Sequence, residues 1–245
     1  MHRPQSYFVT GTDTEVGKTF AARALLHAAR ARGLGAAAMK PVAAGMDANG
    51  RNEDVEQLIA ASSVKLPRAL VNPYCFTEAI APHVAAAHEQ RTIEPGPILD
   101  AYRQVAGRAE FVVVEGVGGF RVPLAEGFDT ADLATRLGLP VILVVGLRLG
   151  CLNHALLTAE AIAARGLGLA GWIANRIDPA MPGWLENIAA LQRELGAPLL
   201  GTLPWQVDGD AIVASFALSL PESPAEPANQ TAGNPSRQGI DRFAT

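Results

Sequence analysis

Tyr7-Phe8-Val9-Thr10-Gly11-Thr12-Asp13-Thr14-Glu15-Val16-Gly17-Lys18-Thr19 is the stretch that decides the fold of this chain. A short run of strand-forming residues enters a loop, and Phe20-Ala21-Ala22-Arg23-Ala24-Leu25-Leu26 follows at once with helical composition. Strand, loop with Gly-Lys-Thr, and helix is the context in which successive backbone N–H groups and a helix N-terminus form a concave anion site. Thr14, Glu15, Val16 and Gly17 build that cradle. Lys18 then reaches the β- and γ-phosphates of a nucleotide, and the Thr19 hydroxyl takes a place on Mg2+. Two features depart from the usual pattern. Gly11 stands one place early, and Glu15 puts a carboxylate inside an anion site. Like charges about 4 Å apart at an effective dielectric near 20 repel by roughly 4 kcal/mol. The Glu15 side chain is therefore expected to point outward, bond a donor, or lie near the metal.

Outward from the loop, short β-branched runs alternate with longer Ala/Leu-rich stretches of helical period. The spacing predicts strands at residues 7–10, 36–40, 111–115, 141–145, 170–175 and 199–202. It predicts helices at 18–32, 53–61, 98–108, 130–137, 151–165 and 185–195. Several strands are apolar on both faces, as in a buried parallel sheet. Crossover helices between them give an α/β, three-layer, doubly wound, mostly parallel sheet of P-loop NTPase type. Ligands in such folds sit outside the carboxyl ends of the strands. Residues 62–94 read as loops with a short helix. Residues 1–220 read as one domain, and 221–245, rich in Pro, Asn and Gly, as a disordered and dispensable tail.

Composition narrows the partners. With 49% apolar and 18% charged residues, the 245-residue chain suits an ordinary globular protein. A net charge of −4 leaves no basic surplus for a nucleic-acid backbone. The opening residues Met-His-Arg-Pro-Gln-Ser have no apolar core, so no secretion signal is expected. No run approaches the roughly 20 apolar residues needed to cross a bilayer, so no membrane role is expected. Cys75 and Cys151 match no metal spacing and suit a reducing compartment, the cytoplasm.

Three further sites fall at expected strand or helix ends. Phe111-Val112-Val113-Val114-Glu115-Gly116-Val117-Gly118-Gly119 brings an apolar strand to one carboxylate and a glycine-rich turn. Mg2+ takes hard oxygen ligands and keeps several waters, so Glu115 and one more carboxylate suffice. Asp54, in Arg51-Asn52-Glu53-Asp54, is the second candidate, although an acidic residue also suits a helix start. Gly116 and Gly118 let backbone N–H groups approach an anion. Lys40 ends the second strand in Met39-Lys40-Pro41-Val42-Ala43-Ala44-Gly45; it either faces the crevice beside Lys18 or is a solvated strand-end lysine.

Taken together, residues 7–19, Lys-Pro-Val-Ala at 40–43, Val-Glu-Gly-Val-Gly-Gly at 114–119, Leu-Gly-Cys-Leu-Asn-His-Ala at 149–155, Gly-Trp-Ile-Ala-Asn at 171–175 and Leu-Gly-Thr-Leu-Pro-Trp at 200–205 resemble the dethiobiotin synthetases. The resemblance runs in order from about residue 5 to 215. It implies an ATP- and Mg2+-dependent ring closure in biotin biosynthesis. The substrates are 7,8-diaminononanoate and carbon dioxide, and the products dethiobiotin, ADP and phosphate. It implies catalytic roles for Lys40 and Lys18, metal contacts from Thr19, Asp54 and Glu115, and diamine contacts from Thr14 and Gly118. Asn175, Pro204, Trp205 and Gln206 fall where the family holds adenine, and Arg176, beside them in the nucleotide site, stands where the family sometimes has Asp, a difference that bears on nucleotide preference. The family is a homodimer in which Gly150, Cys151, Leu152 and Asn153 of the partner hold the substrate carboxylate. Where the family has Ser or Thr, this chain has Ala44, which removes one hydroxyl contact worth about 0.5–1.5 kcal/mol and implies weaker substrate binding.

Two rivals share the phosphate loop. A partition or cell-division ATPase needs a basic DNA surface or an amphipathic membrane helix, and the mild acidity and Pro/Asn-rich tail argue against both. A glutamine-using amidating synthetase needs a second domain for which this chain has no room.

Overall fold

In the computed structural model, residues 4–205 and 218–221 are described. β1 (Gln5–Gly11) is buried from Ser6 to Gly11, as a strand apolar on both faces demands. α1 (Lys18–Ala31), β2 (Ala36–Met39), a short β3 (Val42–Ala44) and α2 (Glu53–Ala61) follow. The chain continues through α3 (Arg68–Val71), β4 (Tyr74–Phe76), α4 (Pro82–His88) and α5 (Pro95–Ala106). β5 (Phe111–Gly119) leads to a small hairpin of β6 (Pro123–Ala125) and β7 (Phe128–Asp129), then to α6 (Thr130–Leu137). β8 (Val141–Leu147), α7 (Cys151–Ala164), β9 (Leu169–Arg176), α8 (Trp184–Glu194) and β10 (Leu199–Leu203) complete the succession.

Six strands pair in the order β10-β9-β8-β1-β5-β2, every pairing parallel. Alternate residues face opposite sides, and the two faces of the sheet carry separate cores. Tyr7, Val9, Val113, Ile142 and Val144 pack with Leu25 and Leu26 of α1 on one face. Phe8, Val112, Val114 and Met39 pack with Ile98 and Val105 of α5 on the other. Trp172 is wholly buried in β9. The three-layer, doubly wound expectation is met. The strand order reverses around β1, so the crevice opens at the carboxyl ends of β1 and its neighbours.

Several local expectations are corrected. β5 runs on to Gly119, so Glu115 lies within the strand and is fully buried instead of ending it. Residues 62–94, expected as loops with a short helix, hold two short helices, α3 and α4, and the strand β4, which pairs in parallel with β3, Ala44 opposite Phe76. The organising residue is Asn72, whose Nδ2 donates to the carbonyls of Lys40 and Tyr74. α5 starts at Pro95, a residue suited to a first helical turn because it has no N–H to leave unpaired. Pro221, expected to open the tail, is buried, and its carbonyl accepts the Tyr7 hydroxyl at 3.5 Å. Leu218 and Leu220 join the core beside α1, and the Ser219 N–H donates to the Leu200 carbonyl. The rest of the expected tail, 222–245, lies outside the described residues.

Candidate active site

The loop between β1 and α1 owes its shape to a few backbone positions. Gly17 has φ 84° and caps α1, while Glu15 adopts φ 59°, a region a non-glycine residue enters only when its surroundings hold it there. A Cβ on Gly17 would lie 2.1 Å from Asn175 Nδ2, so no other residue fits. That Asn175 amide, buried at the end of β9, donates to the Val16 carbonyl at 2.9 Å. Val16 packs into the core. The first turn of α1 carries no acidic residue, which leaves its N–H groups and the positive end of its dipole free to receive an anion. Glu15 is exposed, which fits the outward-pointing one of the alternatives expected for it.

Around this loop, Lys18, Thr19, Lys40, Asp54 and Glu115 meet in one cleft of about 700 Å3. Lys18 Nζ donates to the Asp13 carbonyl at 2.9 Å. Lys40 follows β2, and its backbone is held on both sides: its N–H donates to the Val71 carbonyl and its carbonyl accepts from Asn72. Its ammonium is 2.6 Å from Asp54 Oδ2 and 2.7 Å from Glu115 Oε1. The Thr19 hydroxyl also donates to Glu115 Oε1, at 2.8 Å. Of the alternatives left open for Lys40, the buried crevice position is the one found; its residue is 4% exposed.

Burial pushes the Lys18 ammonium down to about 8 from its usual 10.5, against the pull of Glu115. Burial also works against the Lys40 charge, but Glu115 and Asp54 outweigh it and hold that ammonium above its ordinary range. Asp54 is held below the usual carboxylate range, because Lys40 overcomes the opposing effect of burial. Lys18, Lys40 and Asp54 are thus charged near neutral pH.

Thr14, Glu15, Gly17, Ala44 and Gly118 line the same cleft. Gly116 lies behind it, where a Cβ would come within 3.0 Å of the Phe8 ring. Pro204 and Trp205 follow β10, with Trp205 partly exposed. Gln206 lies outside the described residues. The Arg176 guanidinium sits 4.5 Å over the Trp184 ring and donates to the Pro179 carbonyl, which commits it to the β9–α8 connection. Gly150, Cys151, Leu152 and Asn153 open α7 and do not line this cleft; Cys151 is buried and Asn153 exposed.

Sequence reasoning missed the opposite wall, formed by Ala79, Ile80, Ala81, Pro82, Val117 and Val122. These carry no reactive group, so no motif marks them. It also missed Asn52, which caps α2: its Oδ1 accepts the Val55 N–H and its Nδ2 donates to the Gly45 carbonyl at 2.8 Å. The signal was available, since Asn before an acidic helix start is a capping pattern.

Comparison with known proteins settles the affiliation. Residues 5–212 match the AAA domain family. The chain is 57% identical over 224 residues to the ATP-dependent dethiobiotin synthetase BioD of Aromatoleum aromaticum, covering 90% of this chain and 100% of that protein. The chain belongs to the dethiobiotin synthetase family. Among solved structures, a ParA family ATPase from Chlorobium tepidum superposes with a TM-score of 0.53 over 87% of this chain and 89% of its own, at 13% identity. The septum site-determining protein MinD of Pyrococcus horikoshii gives 0.49 over 81% of each chain at 16% identity. At its identity the ParA likeness carries the fold alone, and the partition-ATPase alternative is not favoured. As a dethiobiotin synthetase family member, the chain has a cleft that combines a phosphate loop, two buried lysines and an apolar wall.

Proposed function

We propose that this chain is an ATP-dependent dethiobiotin synthetase that closes a ureido ring on 7,8-diaminononanoate. The observation that carries this reading is the meeting of Lys18 and Lys40 with Glu115, Asp54 and Thr19 in a cleft whose far wall is apolar. One substrate amine and carbon dioxide combine as a carbamate with loss of a proton. A carbamate oxygen attacks the γ-phosphorus of ATP, breaking its bond to the bridging oxygen and releasing ADP. The second amine then attacks the carbonyl of the mixed anhydride, phosphate leaves, and the ring is closed.

No protein nucleophile is needed, because the substrate supplies both attacking groups. The protein positions reactants and neutralises charge on the migrating phosphoryl group. Lys18 serves the β- and γ-phosphates, and Lys40 the carbamate and γ-phosphate oxygens. The loop N–H groups from Thr14 to Thr19 hold the phosphates. Thr14, Gly118 and the Ala44 position face the diamine, whose hydrocarbon chain suits the wall of Ile80, Val117 and Val122. Asn175 retains a buried Oδ1 without a hydrogen-bond partner, an acceptor suited to the amino edge of adenine; Arg176 is next in the chain, and Pro204, Trp205 and Gln206 come directly after Leu203, the β10 residue paired with Asn175.

The donor set fits Mg2+. Asp54 and Glu115 already converge on one cation, the Lys40 ammonium; Thr19 adds a hydroxyl, and Glu115 Oε2 is buried without a hydrogen-bond partner. Bound there, the ion would neutralise phosphate charge during transfer. A homodimer is supported by Leu149, 95% exposed just before α7, and Leu157, 56% exposed midway along it, a surface that would carry Gly150–Asn153 to a partner's substrate. A cytoplasmic setting agrees with free Cys75 and Cys151 and with no described helix being long and apolar enough to cross a membrane.

The test is mass spectrometry of the product from purified protein, ATP, Mg2+, bicarbonate and 7,8-diaminononanoate. Dethiobiotin should form, and Lys18→Ala and Lys40→Ala should each abolish it. Near-normal turnover in Lys40→Ala would remove its catalytic assignment.

A further inference from the structure

Asp13 and Arg148 have no part in the chemistry above, yet they tie the phosphate loop to the residue that follows β8, the strand beside β1. Arg148 Nη2 donates to Asp13 Oδ2 at 2.5 Å, across 135 positions of sequence. The other carboxylate oxygen accepts the Thr14 N–H at 2.8 Å, and the Asp13 carbonyl accepts the Lys18 ammonium at 2.9 Å. One residue thus fixes both the loop turn and the resting place of Lys18. The neighbouring connections point the same way. The Thr12 N–H donates to the Val144 carbonyl at 3.0 Å, and the Gly146 N–H to Thr12 Oγ1 at 3.5 Å. A Cβ on Gly146 would lie 2.8 Å from Val16 Cγ1, so loop and strand end are already in contact.

The charge on Asp13 is the unexplained part. An asparagine oxygen would accept the Thr14 N–H equally well, and any residue supplies the carbonyl for Lys18. What a carboxylate adds is a negative charge next to a polyphosphate site, and this weakens nucleotide binding unless a cation covers it. We infer that Arg148 is a positioning residue for nucleotide binding: it neutralises Asp13 and so pins the phosphate loop against the end of β8. The inference rests on reading the cleft as a nucleotide site. Both side chains are near half-exposed, at 43% and 47%, which keeps the effect modest.

The experiment is calorimetric titration of full-length protein with MgADP, comparing wild type with Arg148→Gln, Asp13→Asn, the double variant and Arg148→Lys. Arg148→Gln should weaken binding about 3- to 5-fold. The double variant should return to within about 2-fold of wild type, because the uncovered charge is gone. Arg148→Lys, which keeps the charge, should stay close to wild type. The Arg148→Gln defect should shrink in high salt, which a purely steric defect would not do. Unchanged affinity in Arg148→Gln, or a double variant as weak as Arg148→Gln, overturns the inference. Melting curves for all variants identify any that lose the fold, and Arg148→Lys remains informative if Arg148→Gln does. A wild type that shows this pattern but makes no dethiobiotin would instead strike the proposed function and leave the inference intact.

Discussion

At Lys18, burial and function oppose each other. Its ammonium titrates near 8 in the folded protein against 10.5 ordinarily, chiefly because burial disfavours the charge. Between those two values the unfolded chain binds more protons, so this group makes stability rise with pH across that window. Below about 8 the buried charge is a standing cost. Nucleotide-free Lys18→Met should therefore be more stable than wild type at neutral pH by about 1–3 kcal/mol, and the gap should close toward pH 10.5. Urea unfolding at a series of pH values measures it; a less stable variant at neutral pH would contradict the account. One position earlier, Gly17→Ala meets Asn175 Nδ2 at 2.1 Å and forces alanine into φ 84°. We expect it to lose nucleotide binding by titration while keeping a native circular dichroism spectrum, since the clash is confined to the loop.

At the scale of elements, the cleft is assembled by loops that cap or brace one another. Asn52 caps α2 and at the same time holds the Ala44–Gly45 backbone, while Asp54, two residues on, meets Lys40. Asn52→Ala should cost about 1–2 kcal/mol of stability and lower turnover, because both the cap and the Asp54 position loosen. Thermal melting and the product assay read the two effects; turnover unchanged at the cost of a cap would separate Asn52 from the site. Elements of this kind also mark what could be read in advance. The Gly17-Lys18-Thr19 turn, Lys40 after β2 and Glu115 in β5 were legible because each sits in or beside a short local pattern of strand, glycine and charged residue, although β5 runs on past Glu115. The wall at Ala79–Pro82 was not, since it exists only through the pairing of β3 with β4. Nor was the grip of Asn175 on Val16, a contact across 159 positions that no local pattern announces.

Across the whole molecule, the all-parallel sheet was legible from strands apolar on both faces alternating with helical stretches. The far boundary was misjudged by a little: Leu218, Leu220 and Pro221 still pack on β1 and α1, a contact that composition does not reveal. A chain ending after Pro221 should therefore keep the melting temperature and activity of the full chain. A chain ending after Trp205 should lose several degrees, because it uncovers Tyr7 and the α1 core. Differential scanning calorimetry of the two truncations decides it. The position of β1 has one more consequence. β1 is synthesised before both strands it pairs with, β5 and β8, so its hydrogen bonds wait for residues beyond Phe111 and Val141. During translation the emerging phosphate loop has no wall to lean on until most of the chain has left the ribosome. Nucleotide can help only at the last stage of folding, and a protease or chaperone meets the N-terminal half as an unfinished sheet.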